Sequence, residues 1–148
     1  MNPVIILRKE HEAIEMELSE LDFIMSEGDI NYSNLVHTFW KTCELWDGHE
    51  KLEEDIFDVM KKEGFEIPID AILLEHKSLS GRVESITNAI NSGSDFEVRK
   101  VLAKEMREFV DVLRVHMDRE DDVFSGVLVS EFSEEGLREI KRIVGKYQ

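Results

Sequence analysis

The sequence predicts an all-α protein: an antiparallel up-down-up-down four-helix bundle with an internal pseudo-twofold repeat and a short C-terminal helix. Three observations predict it. Apolar residues recur in alternating steps of three and four along the long segments, the spacing that gives a helix one apolar stripe. Strand formers are concentrated nowhere, while Leu, Glu, Lys and Met are common throughout, as helices prefer. The stripes of the first half also reappear in the second half, so two copies of one hairpin must pair to bury them.

The elements follow in order from their punctuation. A first helix over about Pro3–Ser26 has Pro3 in its first turn and Gly28-Asp29 beyond its end. A second covers about Tyr32–Glu63, closing on Lys61 and Lys62 with Gly64 as the stop. Pro68 and Asp70 introduce a third, ending near Ser92-Gly93. Ser94 or Asp95 caps a fourth that reaches about Val129, with a weak point at Gly126. Ser133, followed by Glu134 and Glu135, opens a short amphipathic helix carrying Leu137, Ile140, Val144 and Tyr147. At 148 residues the chain fits one domain, 1–148. The repeat halves lie at about 1–64 and 67–130, with the last helix at about 133–147.

The repeat is residue for residue. Leu7, His11, Ile14, Leu18, Leu21 and Met25 correspond to Ile72, His76, Leu79, Val83, Ile86 and Ile90, an offset of 65. Leu35, Phe39, Thr42, Trp46, His49, Glu53, Ile56 and Met60 correspond to Leu102, Met106, Phe109, Leu113, His116, Glu120, Val123 and Val127, an offset of 67. Glu10 and Glu75 precede the first and third of these histidines, and Glu54 and Asp121 follow the two stripe glutamates.

Six polar residues therefore occupy core-facing positions: His11, His49, Glu53, His76, His116 and Glu120. His49 with Glu53, and His116 with Glu120, are spaced i, i+4 and so share a helix face. Burying an unpaired ion costs several kcal/mol, against a total stability of ~5–15 kcal/mol for a typical domain. No Lys or Arg falls on the stripes near these groups. Divalent cations would neutralise them, and imidazole with carboxylate suits iron, zinc or manganese. Two carboxylates among four imidazoles point to two ions, each held by two histidines and bridged by Glu53 and Glu120. A lone core histidine is ordinarily a packing residue; four in repeat register beside two glutamates are not.

Charge and composition exclude other classes. A formal charge of -15 argues against a nucleic-acid partner, which needs a basic face, and fits a solvated acidic surface. The single cysteine, Cys43, leaves no internal disulfide framework. No apolar run approaches the ~18 residues of a membrane span, and the N-terminus lacks a signal-peptide pattern, so the expected location is the cytoplasm. Neither a Gly-rich phosphate loop nor a nucleophile–base–acid arrangement is present. His37 lies off the seam, Cys43 reads as a small packing residue, and Met25, Met60 and Met106 read as core. Trp40 has Arg107 as its repeat counterpart, which leaves an aromatic partly exposed; side packing is preferred there over a homodimer or other protein contact.

The pattern Glu10-His11, His49-x-x-x-Glu53-Glu54 with Phe57, Glu75-His76, and His116-x-x-x-Glu120-Asp121 with Phe124 resembles the hemerythrin-like, or HHE cation-binding, domain family over about positions 7 to 124. The resemblance implies a non-haem di-iron centre bridged by two carboxylates and an oxo or hydroxo oxygen. One iron is left an open position for dioxygen or another small ligand. The oxygen-carrying members have a further histidine where this chain has Ser80, and they space their last pair as His-x-x-x-x-Asp, a spacing that Asp121 meets. Glu120 is preferred because it preserves the repeat with Glu53. Glu50, by similarity to iron-sensing members, and Glu15, one turn after His11, are further candidates for the vacant coordination. Ferritin-like sites need Glu-x-x-His, and positions 8, 46, 73 and 113 hold Arg8, Trp46, Leu73 and Leu113.

Three functions follow as expectations. The first is a di-iron site that binds dioxygen or responds to oxygen, iron or nitric oxide. The second is a di-iron enzyme acting on peroxide or nitric oxide. The third is an interaction module stabilised by a structural cation.

Overall fold

The computed structural model describes residues 2–93 and 96–147, and it contains no strand among them. Helix α1 spans Pro3–Ser26, α2 Tyr32–Lys62, α3 Ile69–Asn91, α4 Phe96–Phe124 and α5 Glu134–Lys146, with a 3-10 turn at Val129–Glu131.

Local chemistry sets the ends. The Asn2 side chain accepts from the Val4 N–H with Pro3 in the first turn, and Asn31 accepts from Asn34 N–H, each satisfying a donor the helix cannot. At the end of α2, Gly64 takes φ +80. Its N–H then donates to Lys61 O and that of Phe65 to Met60 O, the paired bonds that close a helix through a left-handed glycine. The Ser94 or Asp95 cap expected for the fourth helix lies outside the described residues.

That helix ends earlier than its stripe suggests. It stops at Phe124 rather than near Val129. The Ser125 hydroxyl donates back to Asp122 O, and Val127 N–H donates to Phe124 O in a tight turn. A hydroxyl competing for the last carbonyls, followed by Gly126, is enough to break a helix that gains little beyond this point. Val127 is still buried, so the sequence pattern located a core residue but not the element carrying it.

Helix α1 packs most extensively on α2 and α3 on α4, with α1 against α4 and α2 against α3 closing the ring. The result is two antiparallel hairpins forming a four-helix bundle. Its interior is divided in two. One apolar cluster is built from Ile14, Leu18, Phe39, Trp46, Leu79, Phe109 and Leu113 among others; the other centres on Leu7, Ile56, Phe57, Met60, Ile72 and Phe124. The six polar stripe residues lie between them in sequence and are themselves buried.

Helix α5 lays its apolar face on α2. Ile140, Ile143 and Val144 are buried in the second cluster, whereas Tyr147, expected on that face, is partly exposed and donates its hydroxyl to Asp55 Oδ2 at 2.6 Å. The start of α5 is tied to the end of α2. Glu63 Oε1 accepts from both Ser133 N–H at 2.9 Å and Ser133 Oγ–H at 2.6 Å, and Ser133 Oγ in turn accepts from Gly136 N–H. Gly136 admits this close approach, since a Cβ there would sit 1.9 Å from Glu63 Oε1 and the carboxylate would have to move aside.

Gly136→Ala should therefore lower the urea midpoint despite alanine's better helix propensity, by displacing the Glu63 carboxylate from Ser133. Glu63→Ala should lower it too. Because both changes break one contact, the double variant should unfold at about the midpoint of the weaker single variant; additive losses in urea titrations would show that the two residues act separately.

Candidate metal centre

Each of the four bundle helices delivers one imidazole to the same level: His11 from α1, His49 from α2, His76 from α3 and His116 from α4. The i, i+4 glutamates Glu53 and Glu120 join them. All six are at most 4% exposed, and both glutamates are fully buried. The structure thus brings together every residue that the seam pattern singled out.

The outward nitrogens are all accounted for. His11 Nδ1–H donates to Asp121 Oδ1 at 2.8 Å, His49 Nδ1–H to Glu10 Oε1 at 2.8 Å, His76 Nδ1–H to Glu54 Oε1 at 3.0 Å and His116 Nδ1–H to Glu75 Oε2 at 2.8 Å. An ionised carboxylate only accepts, so these contacts fix the proton on Nδ1 and leave the Nε2 lone pair facing inward. The four bonds obey the repeat: Glu10 and Glu75 serve the second and fourth helices, Glu54 and Asp121 the third and first.

The inward atoms converge without satisfying one another. His49 Nε2 is 3.0 Å from Glu53 Oε2 and His76 Nε2 is 2.9 Å from Glu53 Oε1. Glu120 Oε1 lies 2.8 Å from His116 Nε2 and 3.3 Å from His11 Nε2. Close as these atoms are, both oxygens of Glu53 and Glu120, and Nε2 of His76 and His116, lack the alignment of a hydrogen bond. His11 Nε2 and His49 Nε2 face each other at 3.0 Å. Two lone pairs at that separation repel unless a proton or a cation lies between them.

Donor atoms of His11, His49, Glu53 and Glu120 all lie within 4.8 Å of one another, and so do those of Glu53, His76, His116 and Glu120. The two glutamates belong to both groups, each carboxylate reaching imidazoles of both hairpins. Orphaned buried oxygens, inward lone pairs and a mixed imidazole–carboxylate donor set fit divalent metal ions.

Three further candidates are placed elsewhere. Both oxygens of Glu15 accept from Arg114, with Nε and Nη2 at 2.8 to 3.1 Å, so Glu15 is spent in a strut between α1 and α4. Asp121 holds the outer nitrogen of His11. Glu50 gathers with Glu54 and His76 in a third, partly exposed group that shares His76 with one of the inner two. His37 is exposed, as its position off the seam implies. The outer carboxylates were visible in the sequence as acidic neighbours of the stripe residues. Their pairing across helices was not, because it depends on which helices are adjacent. Trp46, which packs against three of the histidines, reads in sequence only as another apolar stripe residue.

Without a cation, protons do the neutralising. Burial alone would lower His49, but its bond to Glu10 and the nearby Glu53 carboxylate prevail and push it up to about 9. Burial likewise opposes His76, which Glu120, Glu53 and Glu54 together push up to about 11. His116 is raised against burial by Glu120. Glu53 is raised by burial and by its contact with Glu120. Glu120 is held far below the usual carboxylate range: burial opposes this, and the close approach of Glu53, His11, His116 and His76 overcomes it.

The model of the hemerythrin HHE cation binding domain family matches residues 2–128. No curated protein and no solved structure matches the chain. Among the described residues no helix is long and apolar enough to cross a membrane.

The raised histidines set a pH dependence. Protonated His49 contributes stability that is complete below its ordinary value of 6.5 and lost as pH rises through about 9. The metal-free protein should therefore become easier to unfold in urea across that window, and His76 should extend the loss toward pH 11. Loading divalent metal near pH 7 should release the protons of His49 and His76, measurable by pH-stat. Metal uptake without proton release would mean that the imidazoles enter the site already neutral.

Proposed function

Because the chain belongs to the hemerythrin HHE cation-binding domain family, we propose that it is a non-haem di-iron protein whose carboxylate-bridged site binds dioxygen or senses oxygen, iron or nitric oxide. The observation that carries this reading is the orientation of the imidazoles. With all four Nδ1 protons turned outward to Asp121, Glu10, Glu54 and Glu75, four Nε2 atoms and two carboxylates meet in an interior where, among the described residues, no Lys or Arg is buried to balance them.

In this reading His11 and His49 hold one ion, His76 and His116 hold the other, and Glu53 and Glu120 span both. The two overlapping donor groups support that division. When bound, iron supplies the electrons and the open coordination that dioxygen or nitric oxide chemistry requires. The chain does the rest. The outer carboxylates fix each imidazole's tautomer and rotation and raise its basicity toward the centre. Ile14 and Leu79 on one side, and Ile56 and Phe57 on the other, are all but fully buried and keep water from the donors. Low permittivity there strengthens each ligand's hold on a cation.

Protein purified without added metal should contain two irons per chain by elemental analysis. Glu53→Gln with Glu120→Gln should abolish that content. Glu10→Ala or Glu54→Ala, which remove only outer acceptors, should weaken metal affinity by ~10–100-fold. Admitting air or nitric oxide to the anaerobic ferrous protein should change its visible absorption. A folded chain that takes up no metal would refute the reading. Stoichiometric metal with a spectrum indifferent to both gases would leave a purely structural ion.

A further inference from the structure

Helix α5 stands outside the four-helix ring, so it can leave without opening the bundle. It begins at Glu134, beyond residues 2–128 that carry the family pattern, and it packs chiefly on α2. With 13 residues, Gly136 and Gly145 among them, it is too short and too poor in propensity to be a stable helix by itself. It is helical because it is seated. Ile140, Ile143 and Val144 enter the cluster that holds Ile56, Val59 and Met60. At one end Glu63 accepts from Ser133 N–H and Oγ–H. At the other, Asp55 Oδ2 accepts from the Tyr147 hydroxyl at 2.6 Å and lies 3.7 Å from Lys146 Nζ. Both end contacts face solvent, where such bonds hold weakly.

The seat adjoins the metal layer along one helix. Its polar ends are residues 55 and 63 of α2, and the residues just before it serve the centre. Glu53 lies 3.0 Å from His49 Nε2 and 2.9 Å from His76 Nε2, and Glu54 accepts from His76 Nδ1–H. The Phe57 ring stacks on that of His76 with centroids 6.5 Å apart, and Phe57 shares a cluster with the apolar residues of α5. Neither oxygen of Glu53 has a hydrogen-bond partner, so without a cation that carboxylate is crowded but not fixed. A cation bound to it fixes it, and with it the turn of α2 from which the seat continues.

We propose that α5 is a latch coupled to the metal layer through residues 53–63 of α2. Metal binding tightens the seat, and release of α5 weakens metal binding by the same factor, as reciprocity requires. This rests on the metal reading above and adds the element by which occupancy reaches the surface. The two states are α5 seated and helical, and α5 released and unfolded. They differ in affinity for the cation because only the seated helix braces this stretch of α2 from outside.

The test is hydrogen exchange of the full chain, metal-free and zinc-loaded. Amides of α5 should exchange by local release, faster than those in the middle of α4, and zinc should slow them by roughly fivefold or more. Glu63→Gln with Tyr147→Phe loosens both ends of α5 and touches no inner donor or outer carboxylate. It should speed exchange of α5 and lower zinc affinity by a similar factor. Leu102→Ala, in the other apolar cluster, removes stability without touching the seat and should leave zinc affinity unchanged. Exchange of α5 that zinc does not alter, or that is no faster than in α4, overturns the proposal and leaves the metal reading standing. A double variant with a looser α5 and full zinc affinity does the same. The comparison on the unaltered chain decides alone if that variant does not fold. A chain that takes up no zinc overturns both.

Discussion

Six ionisable side chains share one level of the bundle, with Ile14, Leu79 and Trp46 packed on one side and Ile56, Phe57 and Phe124 on the other. Removing a charge from water costs several kcal/mol even after relaxation, so an uncompensated layer of this kind would take up much of a small domain's stability. The rest of the interior answers to that cost. Each imidazole meets a carboxylate at its outer nitrogen, and each inner carboxylate meets imidazoles from more than one helix. The apolar core is split so that no hydrophobic side chain has to occupy the level between. The bundle is a conventional way to bury four stripes, and the polar layer decides what is done with it.

The outer carboxylates make this arrangement specific. Glu10, Glu54, Glu75 and Asp121 are all partly exposed, so each keeps contact with water while binding a buried histidine. Solvation of the outer carboxylate is retained at the rim, and each imidazole is carried inside in a fixed rotation. An i, i+4 histidine–glutamate pair on a single helix could not do this, because the acceptor for each outer nitrogen comes from a neighbouring helix. Helix order around the ring is therefore part of the site's chemistry.

The same distinction explains what could be read from sequence. Stripe spacing and the offsets of 65 and 67 are local, one-dimensional signals, and they gave the four bundle helices, the repeat and all six inner residues. The end of α4 differs from its stripe because apolar spacing continues through Val127, whereas the last helical bond is Ser125 N–H to Asp121 O and Val127 N–H already turns back to Phe124 O. Tyr147 was placed on the buried face of α5, where Ile143 lies instead; its hydroxyl finds a better place at Asp55 on the rim. Glu15 looked available for the centre because it sits one turn from His11, and nothing local to α1 reveals that Arg114 on α4 holds it. Glu15 and Tyr147 are each placed by a partner on another element, and periodicity carries no information about that; the end of α4 is set by local hydrogen bonds that apolar spacing does not report.

The inner donors obey the twofold repeat and their surroundings do not, so the two halves of the layer cannot be equivalent. Glu15 and Arg114 correspond to Ser80 and Asp47, which cannot form the strut that Arg114 makes to Glu15 and Asp22. Beside that strut runs a cleft whose lining includes His11, Met117 and Asp121, so a surface opening reaches the side of His11. In the other pair of helices Trp46 has Leu113 as its repeat counterpart, and Thr42, which donates its hydroxyl to Thr38 O, has Phe109. Duplicated hairpins supply matching inner donors, and the asymmetry of the layer lies in the shell around them. The strut and cleft by His11, and the indole packed on His49, His76 and His116, are the two places where it is found.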